Sequence, residues 1–451
     1  MTMEAGNENV SLLSESSSFD GNAPELQRLN FRSKTSSRHL RDLHILSFTF
    51  LFVFLAYAAA QNLESSVNSE KNLGTISLGI LYLSFTVCSF VATPIVRRLG
   101  SKNSLILGTS GYWLFIAANL FPSWYTMVPA SLYLGFTASI IWVAEGTYLT
   151  FAARGHATEC NLPEGTVLGN FNGEFWGMFA STQVIGNLLS LVLLKTGTEG
   201  KSNSGTTLLF AVFLGSMTLG TILAFFLTKQ TNTKAGVMQS GNDSCLSVGD
   251  LLKATFVPLL DKRMLLLIPL LVYSGLEQAF VWAEFTKYVV EPAIGVAGVG
   301  GVMAIFGATD AVSSLVAGRL TTGLLSISSI TCTGILFQAL VLLRLWLNHS
   351  FGSSRASIIN IVVMAAAWGA GDGVFNTQTN ALLAILFPHD TEAAFSQLKI
   401  WQSGAISVVF FVSPHITFTT MLAVLAVTLF ISLVGLSMIT FYVGKAVPQR
   451  S

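Results

Sequence analysis

Charged residues are scarce in this chain of 451 residues: Asp, Glu, Lys and Arg make up 10% of it, against about 25% in soluble proteins. Hydrophobic residues make up 52%, and the formal net charge is only +1. Such a small net charge gives no electrostatic basis for binding nucleic acid. Apolar runs of about 20 residues recur, which is the length that a helix needs to cross a bilayer. The composition therefore predicts a protein that crosses the lipid bilayer many times.

Cysteine is also rare, with four residues in all. Two of the four fall in predicted spans and two in predicted cytosolic loops, so we expect no disulfide framework. The sequence contains no phosphate-binding loop, no pair of His residues spaced for a metal and no nucleophile constellation. We therefore predict that the protein is not an enzyme and holds no cofactor or metal.

The apolar runs predict an all-α membrane protein with twelve transmembrane helices in two pseudo-symmetric six-helix halves, at residues 43–228 and 264–444. A disordered cytosolic tail is expected at 1–42, a cytosolic linker at 229–263 and a short cytosolic tail at 445–451. The first tail has no apolar segment near its start, so we expect no cleavable signal peptide.

Positive charge is distributed unevenly about these spans. An even number of spans puts both termini on one side, and eighteen of the 24 Lys and Arg residues fall on that side. Because loops rich in Lys and Arg face the cytosol, both termini are predicted to be cytosolic. The glycosylation sequon at Asn348 then lies on the opposite side, which predicts a glycoprotein.

The first tail contains a pattern typical of adaptor-mediated sorting. Glu8, Leu12 and Leu13 have the spacing of an acidic dileucine signal. This pattern predicts an endosomal or vacuolar membrane. A chance match in a tail that contains Leu is the alternative, and it leaves the plasma membrane open.

The stretch at residues 271–290 is apolar, yet it contains Glu277, Gln278 and Glu284. An ionisable side chain at the bilayer centre costs at least ~2.5–3.5 kcal/mol, so its presence indicates a use. Seven steps of about 100° bring Glu277 and Glu284 to nearly one face of a helix. A rise of ~1.5 Å per residue from Arg263 places Glu277 about 20 Å along the helix, near the midplane.

The first half contains a weaker copy of this stretch. The spacing of Tyr273, Glu277 and Gln278 is repeated there by three further polar residues: Tyr57, Gln61 and Asn62. The repeat supports two halves of related sequence.

Six acids fall within the predicted spans, whereas Arg344 and Lys399 lie near span ends, where long side chains can snorkel. Without basic partners, the acids could be protonated, could be hydrogen-bonded to amides or backbone, or could face water and attract cations. Helix packing alone is the alternative for each of them. With nearby amides and tyrosines they make up the predicted central-cavity set: Tyr57, Gln61, Asn62, Glu145, Asn172, Glu174, Gln183, Tyr273, Glu277, Gln278, Glu284, Asp310, Asp372, Asn376 and Gln378.

The loop after the second predicted span resembles the signature loop of the major facilitator superfamily. It matches that signature at Arg98, Gly100 and Lys102, but Arg97 stands where the superfamily has Asp, and Thr93 where it has Gly. The departure puts the usual gating clasp of these transporters in doubt.

Residues 43–444 as a whole resemble the Unc-ninety-three-like family, a divergent branch of that superfamily, and look most like its plant members. Four motifs carry the resemblance, at residues 98–102, 142–148, 172–176 and 273–280. The resemblance implies a fold of the major-facilitator type with twelve spans. It also implies one of three roles: regulation of a potassium channel, escort of other membrane proteins, or ion homeostasis by an unknown route.

Three functions therefore stay open. The first is a regulatory or accessory subunit of a potassium channel or transporter. The second is a secondary transporter coupled to a proton or monovalent cation, with Glu277, Asp310 and Asp372 as titrating or ion-facing groups near the midplane. The third is a trafficking escort for other membrane proteins, which the dileucine pattern also favours.

Overall fold

The computed structural model describes residues 23–67, 73–197, 202–230, 253, 255–347 and 352–446. Within these ranges the chain forms thirteen α-helices: α1 Ala23–Val67, α2 Leu73–Leu99, α3 Ser101–Ala118, α4 Trp124–Cys160, α5 Glu164–Gly197, α6 Ser202–Phe225, α7 Lys262–Ala279, α8 Glu291–Ile294, α9 Val296–Leu320, α10 Leu324–Leu347, α11 Arg355–Leu386, α12 Thr391–Val412 and α13 Phe418–Ala446. Three further helical segments join them: the 3₁₀ turns Val257–Leu260 and Ser413–His415, and the π-helix Phe280–Val290.

Nine of the described helices are long and apolar enough to cross a membrane. The three long helices outside this group are α3, α5 and α12. Two of them carry polar side chains in mid-helix, such as Glu174 in α5 and Lys399 in α12, and α3 begins with four polar residues at positions 101–104. The structure supports a multi-pass membrane protein, while the prediction of twelve spanning helices is not confirmed.

The helices pack as two groups that meet along two seams. Helices α1–α6 contact one another, and α7 with α9–α13 form the second group. One seam joins α5 to α9 and α11, and the other joins α2 and α4 to α12. Small residues set the first seam, because a Cβ at Gly173 would lie 2.7 Å from the Ser314 carbonyl oxygen and 2.8 Å from Gly318 Cα. The two groups are therefore in close contact at this point.

Local sequence determines where several helices begin and end. Ser123 and Thr126 form a capping box at the start of α4, and Asn161 ends that helix in the left-handed region with φ 56°. Gly100, one of the signature-loop residues, has φ 76° between α2 and α3, a conformation that favours glycine. At the start of α7, a hydrogen bond from Arg263 lowers the pKa of the capping carboxyl of Asp261.

Helix α7 does not continue as an α-helix through the whole stretch of interest. Phe280–Val290 forms a π-helix, which winds with i→i+5 hydrogen bonds. The step of 100° per residue therefore does not apply beyond Phe280. The helix face that Glu277 and Glu284 were predicted to share is therefore interrupted. Glu284 hydrogen-bonds Ser413 and does not join the contacts of Glu277.

The first helix begins earlier than predicted. Helix α1 starts at Ala23, so the part of the predicted tail between Ala23 and residue 42 is helical rather than disordered. The backbone of this segment follows directly into the first apolar span, Ser37–Gln61. Glu8, Leu12, Leu13 and Asn348 lie outside the described residues.

Candidate functional site

Three acids meet inside the second group of helices. Glu277 comes from α7, Asp310 from α9 and Asp372 from α11, and none is more than 6% exposed. The Asp372 carboxyl lies within hydrogen-bonding reach of both other carboxyls. In the described part of the chain, no Lys, Arg or His forms an ion pair with any of them. We call these three residues the acid cluster.

Neutral donors hold Glu277 at one end of the acid cluster. The side-chain amide of Gln338 donates to Glu277 Oε2 at 3.0 Å, and the indole N–H of Trp368 donates to the same oxygen. The Tyr273 hydroxyl in turn donates to Gln338 Oε1, which fixes the orientation of that amide. Glu277 Oε1 has no hydrogen-bond donor among the described residues.

Amide and hydroxyl groups also surround the other two acids. The Asn376 side chain donates to Asp372 Oδ1 at 3.0 Å, and Gln278 hydrogen-bonds the same carboxyl. The Ser314 hydroxyl donates to Asp310 Oδ1 at 3.1 Å. Within the described part of the chain, the cluster is therefore held by neutral side chains.

A second buried set of charged and aromatic residues lies between α4 and α5 of the first group and α12 of the second. Glu145 is 1% exposed and Lys399 is 5% exposed. Lys399 Nζ donates to Gln402 Oε1 at 2.8 Å and lies 4.5 Å from the centre of the Trp142 ring and 6.0 Å from that of Trp176. We call these five residues the seam site.

The position of Lys399 corrects an expectation drawn from the sequence. We expected this side chain to snorkel from a span end, but it is buried against two tryptophan rings. Its amino group lies inside the protein because α12 begins at Thr391 and packs between both groups of helices. A basic residue therefore does lie in the interior.

The first-half copy of the stretch at residues 271–290 makes different contacts from its counterpart. Tyr57 is buried with its ring against those of Phe54 and Tyr112, and the Gln61 amide donates to the Tyr82 hydroxyl at 3.0 Å. Asn62 lies in α1, and its side chain is not described. The described copy is therefore an aromatic and hydroxyl cluster without an acid.

The remaining predicted residues are distributed over packing contacts. Asn172 donates to the Leu168 carbonyl of its own helix, and Gln183 packs against Gly307 across a seam. Glu174 is one-third exposed and pairs with His44 at 2.5 Å, outside the acid cluster. Gln378 accepts a hydrogen bond from Thr321, which links α11 to α9. The structure thus brings Glu277, Asp310 and Asp372 together, whereas the predicted residues named in this paragraph lie apart from the acid cluster.

Ion pairs join the two groups of helices at the end that carries the signature loop. Arg97 lies 3.4 Å from Asp390 and 3.7 Å from Glu392, both in the segment before and at the start of α12. Arg154 donates to the Ala384 and Pro388 carbonyls at the end of α11. The residue that replaces the superfamily Asp therefore makes a clasp with acids of the other group.

The matching residues of the signature loop lie beside this clasp. Lys102 donates to the Phe225 carbonyl at the end of α6 at 2.8 Å, which also places its charge at the negative end of that helix. Arg98 is exposed. Both residues lie at the same end of the molecule as Arg97.

Sequence reasoning missed four residues of these sites: Gln338, Trp368, Lys399 and Gln402. Gln338 was detectable, because it is the one amide in the apolar helix α10. Trp368 lies in a segment that mixes small, polar and aromatic residues, so the sequence does not single it out. Nothing in the linear pattern shows that both donate to one oxygen of Glu277.

Comparisons with known proteins show what the chain resembles. Residues 65–436 match the family described as "Ion channel regulatory protein UNC-93". The chain is 60% identical over 390 residues to "UNC93-like protein 3" of Arabidopsis thaliana, covering 86% of this chain and 83% of that protein. It is 30% identical over 445 residues to "Putative potassium channel regulatory protein unc-93" of Caenorhabditis elegans, covering 91% of this chain and 61% of that protein.

Solved structures of similar fold are major facilitator transporters. The Escherichia coli fucose:proton symporter FucP superposes with a TM-score of 0.64 at 12% identity, covering 89% of this chain and 99% of that one. The proton:xylose symporter XylE superposes with a TM-score of 0.66 at 11% identity, covering 92% and 97%. At such low identity the likeness shows the fold alone.

Proposed function

We propose, from the premise that this chain belongs to the UNC-93 family, that it serves potassium or ion homeostasis as a regulatory or accessory subunit of a channel or transporter. The observation that carries the proposal is the match of residues 65–436 to a family described as regulating ion channels. The name of the Caenorhabditis elegans relative as a putative potassium channel regulator supports the same role.

A test of this role compares cells with and without the protein. Whole-cell potassium currents are recorded in cells that express the chain and in cells in which its gene is deleted. A regulator changes these currents in the cells, yet it carries no potassium when purified and placed alone in liposomes. Unchanged currents, with the protein present in the same membrane, would contradict the proposal.

A second candidate function is a secondary transporter coupled to a proton or monovalent cation. The acid cluster favours it, because carboxylates that touch repel one another unless a proton or cation lies between them. The two symporters of similar fold are each named with a proton, although that likeness extends only to the fold. The acids lie on three different helices, so a change in their occupancy would alter how those helices pack.

Liposomes that contain the purified protein alone separate the two candidates. A pH-sensitive dye inside the liposomes reports proton movement, and a potassium-sensitive dye reports potassium movement. Proton flux that Glu277→Gln abolishes would establish the transporter. Absence of both fluxes, with altered currents in cells, supports the regulator.

We also propose that both termini face the cytosol. The ion pairs of Arg97 and Arg154 lie at the same end as Lys102 and as the start of α7 with Arg263. Basic residues at one end of a membrane bundle face the cytosol. An epitope tag at the N-terminus that antibodies detect without permeabilising the cell would contradict this orientation.

A further inference from the structure

The seam site contains a buried carboxyl whose oxygens have no partner in the described protein. Glu145 is 1% exposed, and neither Oε1 nor Oε2 receives a hydrogen bond from any described residue. Leaving buried polar atoms unsatisfied is costly, so most such atoms in native proteins have a protein or bound partner. Both carboxyl oxygens of Glu145 are therefore available to accept hydrogen bonds from a bound molecule.

The same site also offers donors with unused capacity. The indole N–H of Trp176 is buried and has no acceptor among the described residues. An ammonium group has three donors, and Lys399 uses one of them on Gln402. Glu145 and Lys399 interact electrostatically, and Lys399 Nζ lies 6.0 Å from the centre of the Trp176 ring. The acceptors on Glu145 and the unused donors on Trp176 and Lys399 therefore lie in one site.

The charges in the site decide which class of molecule fits it. One acid and one base sum to zero, whether the pair is ionised or neutral. A lone cation would be attracted to Glu145 but repelled by Lys399, and a lone anion would meet the reverse problem. A small molecule with both a positive and a negative group is attracted at both ends.

The walls of the site suit a small ligand of this kind. The rings of Trp142 and Trp176 stack with centroids 5.9 Å apart and an angle of 9° between their planes. The face of a tryptophan ring attracts an ammonium group, as the contact of Lys399 with Trp142 shows. The side chains come from α4 and α5 of one group and α12 of the other.

We propose that the seam site binds a small zwitterion of the amino-acid type. Its carboxylate accepts hydrogen bonds from Lys399 and Trp176, and its ammonium donates to Glu145 beside the tryptophan rings. Such a ligand bridges the two groups of helices. The proposal goes beyond the function proposed above and does not depend on it, because binding is measured without any channel or flux.

The first experiment uses the wild-type protein in lipid nanodiscs and measures its Tm. The probes are glycine, β-alanine and γ-aminobutyrate, which separate the two charges by increasing distances. The control is an equimolar mixture of methylammonium and acetate, which supplies the same two groups unlinked. We expect a saturable rise in Tm of about 2 °C or more with at least one zwitterion and none with the mixture. No rise with any of the three, or an equal rise with the mixture, would overturn the proposal.

Four variants then locate the binding. Glu145→Gln and Lys399→Gln each remove one charge from the seam site and should abolish the rise in Tm. Lys287→Gln and Glu291→Gln remove one charge of each sign from exposed positions and should keep it. A rise that persists in Glu145→Gln and Lys399→Gln would place the zwitterion elsewhere and refute the assignment. If either seam variant does not fold, Trp176→Phe, which keeps an aromatic ring but removes the N–H donor, takes its place, and an undiminished rise in Tm in that variant would refute the assignment.

Discussion

Replacing Glu277 by Gln separates the charge of this side chain from its hydrogen bonds. The Gln carbonyl oxygen has two lone pairs, so it can accept from both Gln338 and Trp368 as Glu277 Oε2 does. The new NH₂ group can donate to the Asp372 carboxyl, which lies within reach of Glu277. Gln should therefore preserve packing and hydrogen bonding while it removes the ability to bind a proton or cation.

Glu277→Ala is the harsher control. It leaves the donors of Gln338 and Trp368 buried without acceptors, at roughly 1–2 kcal/mol each. The total of about 2–4 kcal/mol is a large part of a typical stability of about 5–15 kcal/mol. We therefore expect Ala to lower the amount of folded protein and Gln to leave it unchanged.

The assay has two parts, abundance and function. Fluorescence-detected size-exclusion chromatography gives the amount of folded protein, and potassium currents in cells give its activity. We expect Glu277→Gln to reach its membrane at normal abundance with a reduced effect on these currents. Glu291→Gln, an exposed acid of the same size, should leave both unchanged. A fully active Glu277→Gln variant would show that the function does not require Glu277 to bind a proton or cation. Contacts on the protein surface would then be the alternative basis of the function.

Three further predictions concern topology, sorting and the clasp between the two groups of helices. Asn348 should carry a glycan, so Asn348→Gln should migrate like the deglycosylated protein, whereas a cytosolic location for a tag in this loop would contradict the topology. Changing Leu12 and Leu13 to Ala should move the protein towards the cell surface, and an unchanged distribution would make the pattern accidental. Arg97→Glu should increase labelling of a cysteine placed beside Asp390, because it replaces an attraction at 3.4 Å by repulsion. The pair is partly exposed, so we expect its loss to cost about 1 kcal/mol or less and to leave the abundance of folded protein nearly unchanged. A large drop in abundance would contradict this expectation.

Because an acid is costly to bury, its presence in an apolar segment was enough to identify the members of the acid cluster. It did not reveal their contacts. Glu277, Asp310 and Asp372 each stand out in an apolar segment. Whether they touch depends on the rotation of α7, α9 and α11 about their axes and on which helices are neighbours. A single sequence records neither the rotation of a helix about its axis nor which helices are its neighbours.

Linear distance from a helix end misled the reading of Lys399. Eight residues from the start of α12, a lysine can reach the interface if that helix faces lipid. Here α12 packs against α2, α4 and α7, so the side chain points among tryptophans rather than along a lipid surface. The π-helix after Phe280 was equally hidden, because apolar periodicity does not distinguish it from an α-helix over so few turns.

The family and the general fold were within reach of the sequence, because ordered motifs and repeated apolar runs do not depend on helix rotation. The match over residues 65–436 confirms the family. The count of twelve spans stays a prediction, because α5 and α12 carry polar residues in mid-helix and are not among the nine described helices that are apolar enough to cross a membrane. A helix of this kind spans a membrane only within its protein surroundings, which hydropathy does not measure.

The measurement that tests the central claim most directly is uptake of a potassium tracer, radioactive rubidium, by liposomes that contain only the purified protein. If the protein is an accessory subunit, uptake is no greater than in empty liposomes, while potassium currents are altered in cells that express the same protein. Uptake above that of empty liposomes, abolished by Glu277→Gln, would contradict the accessory-subunit function and identify the protein as a transporter in its own right.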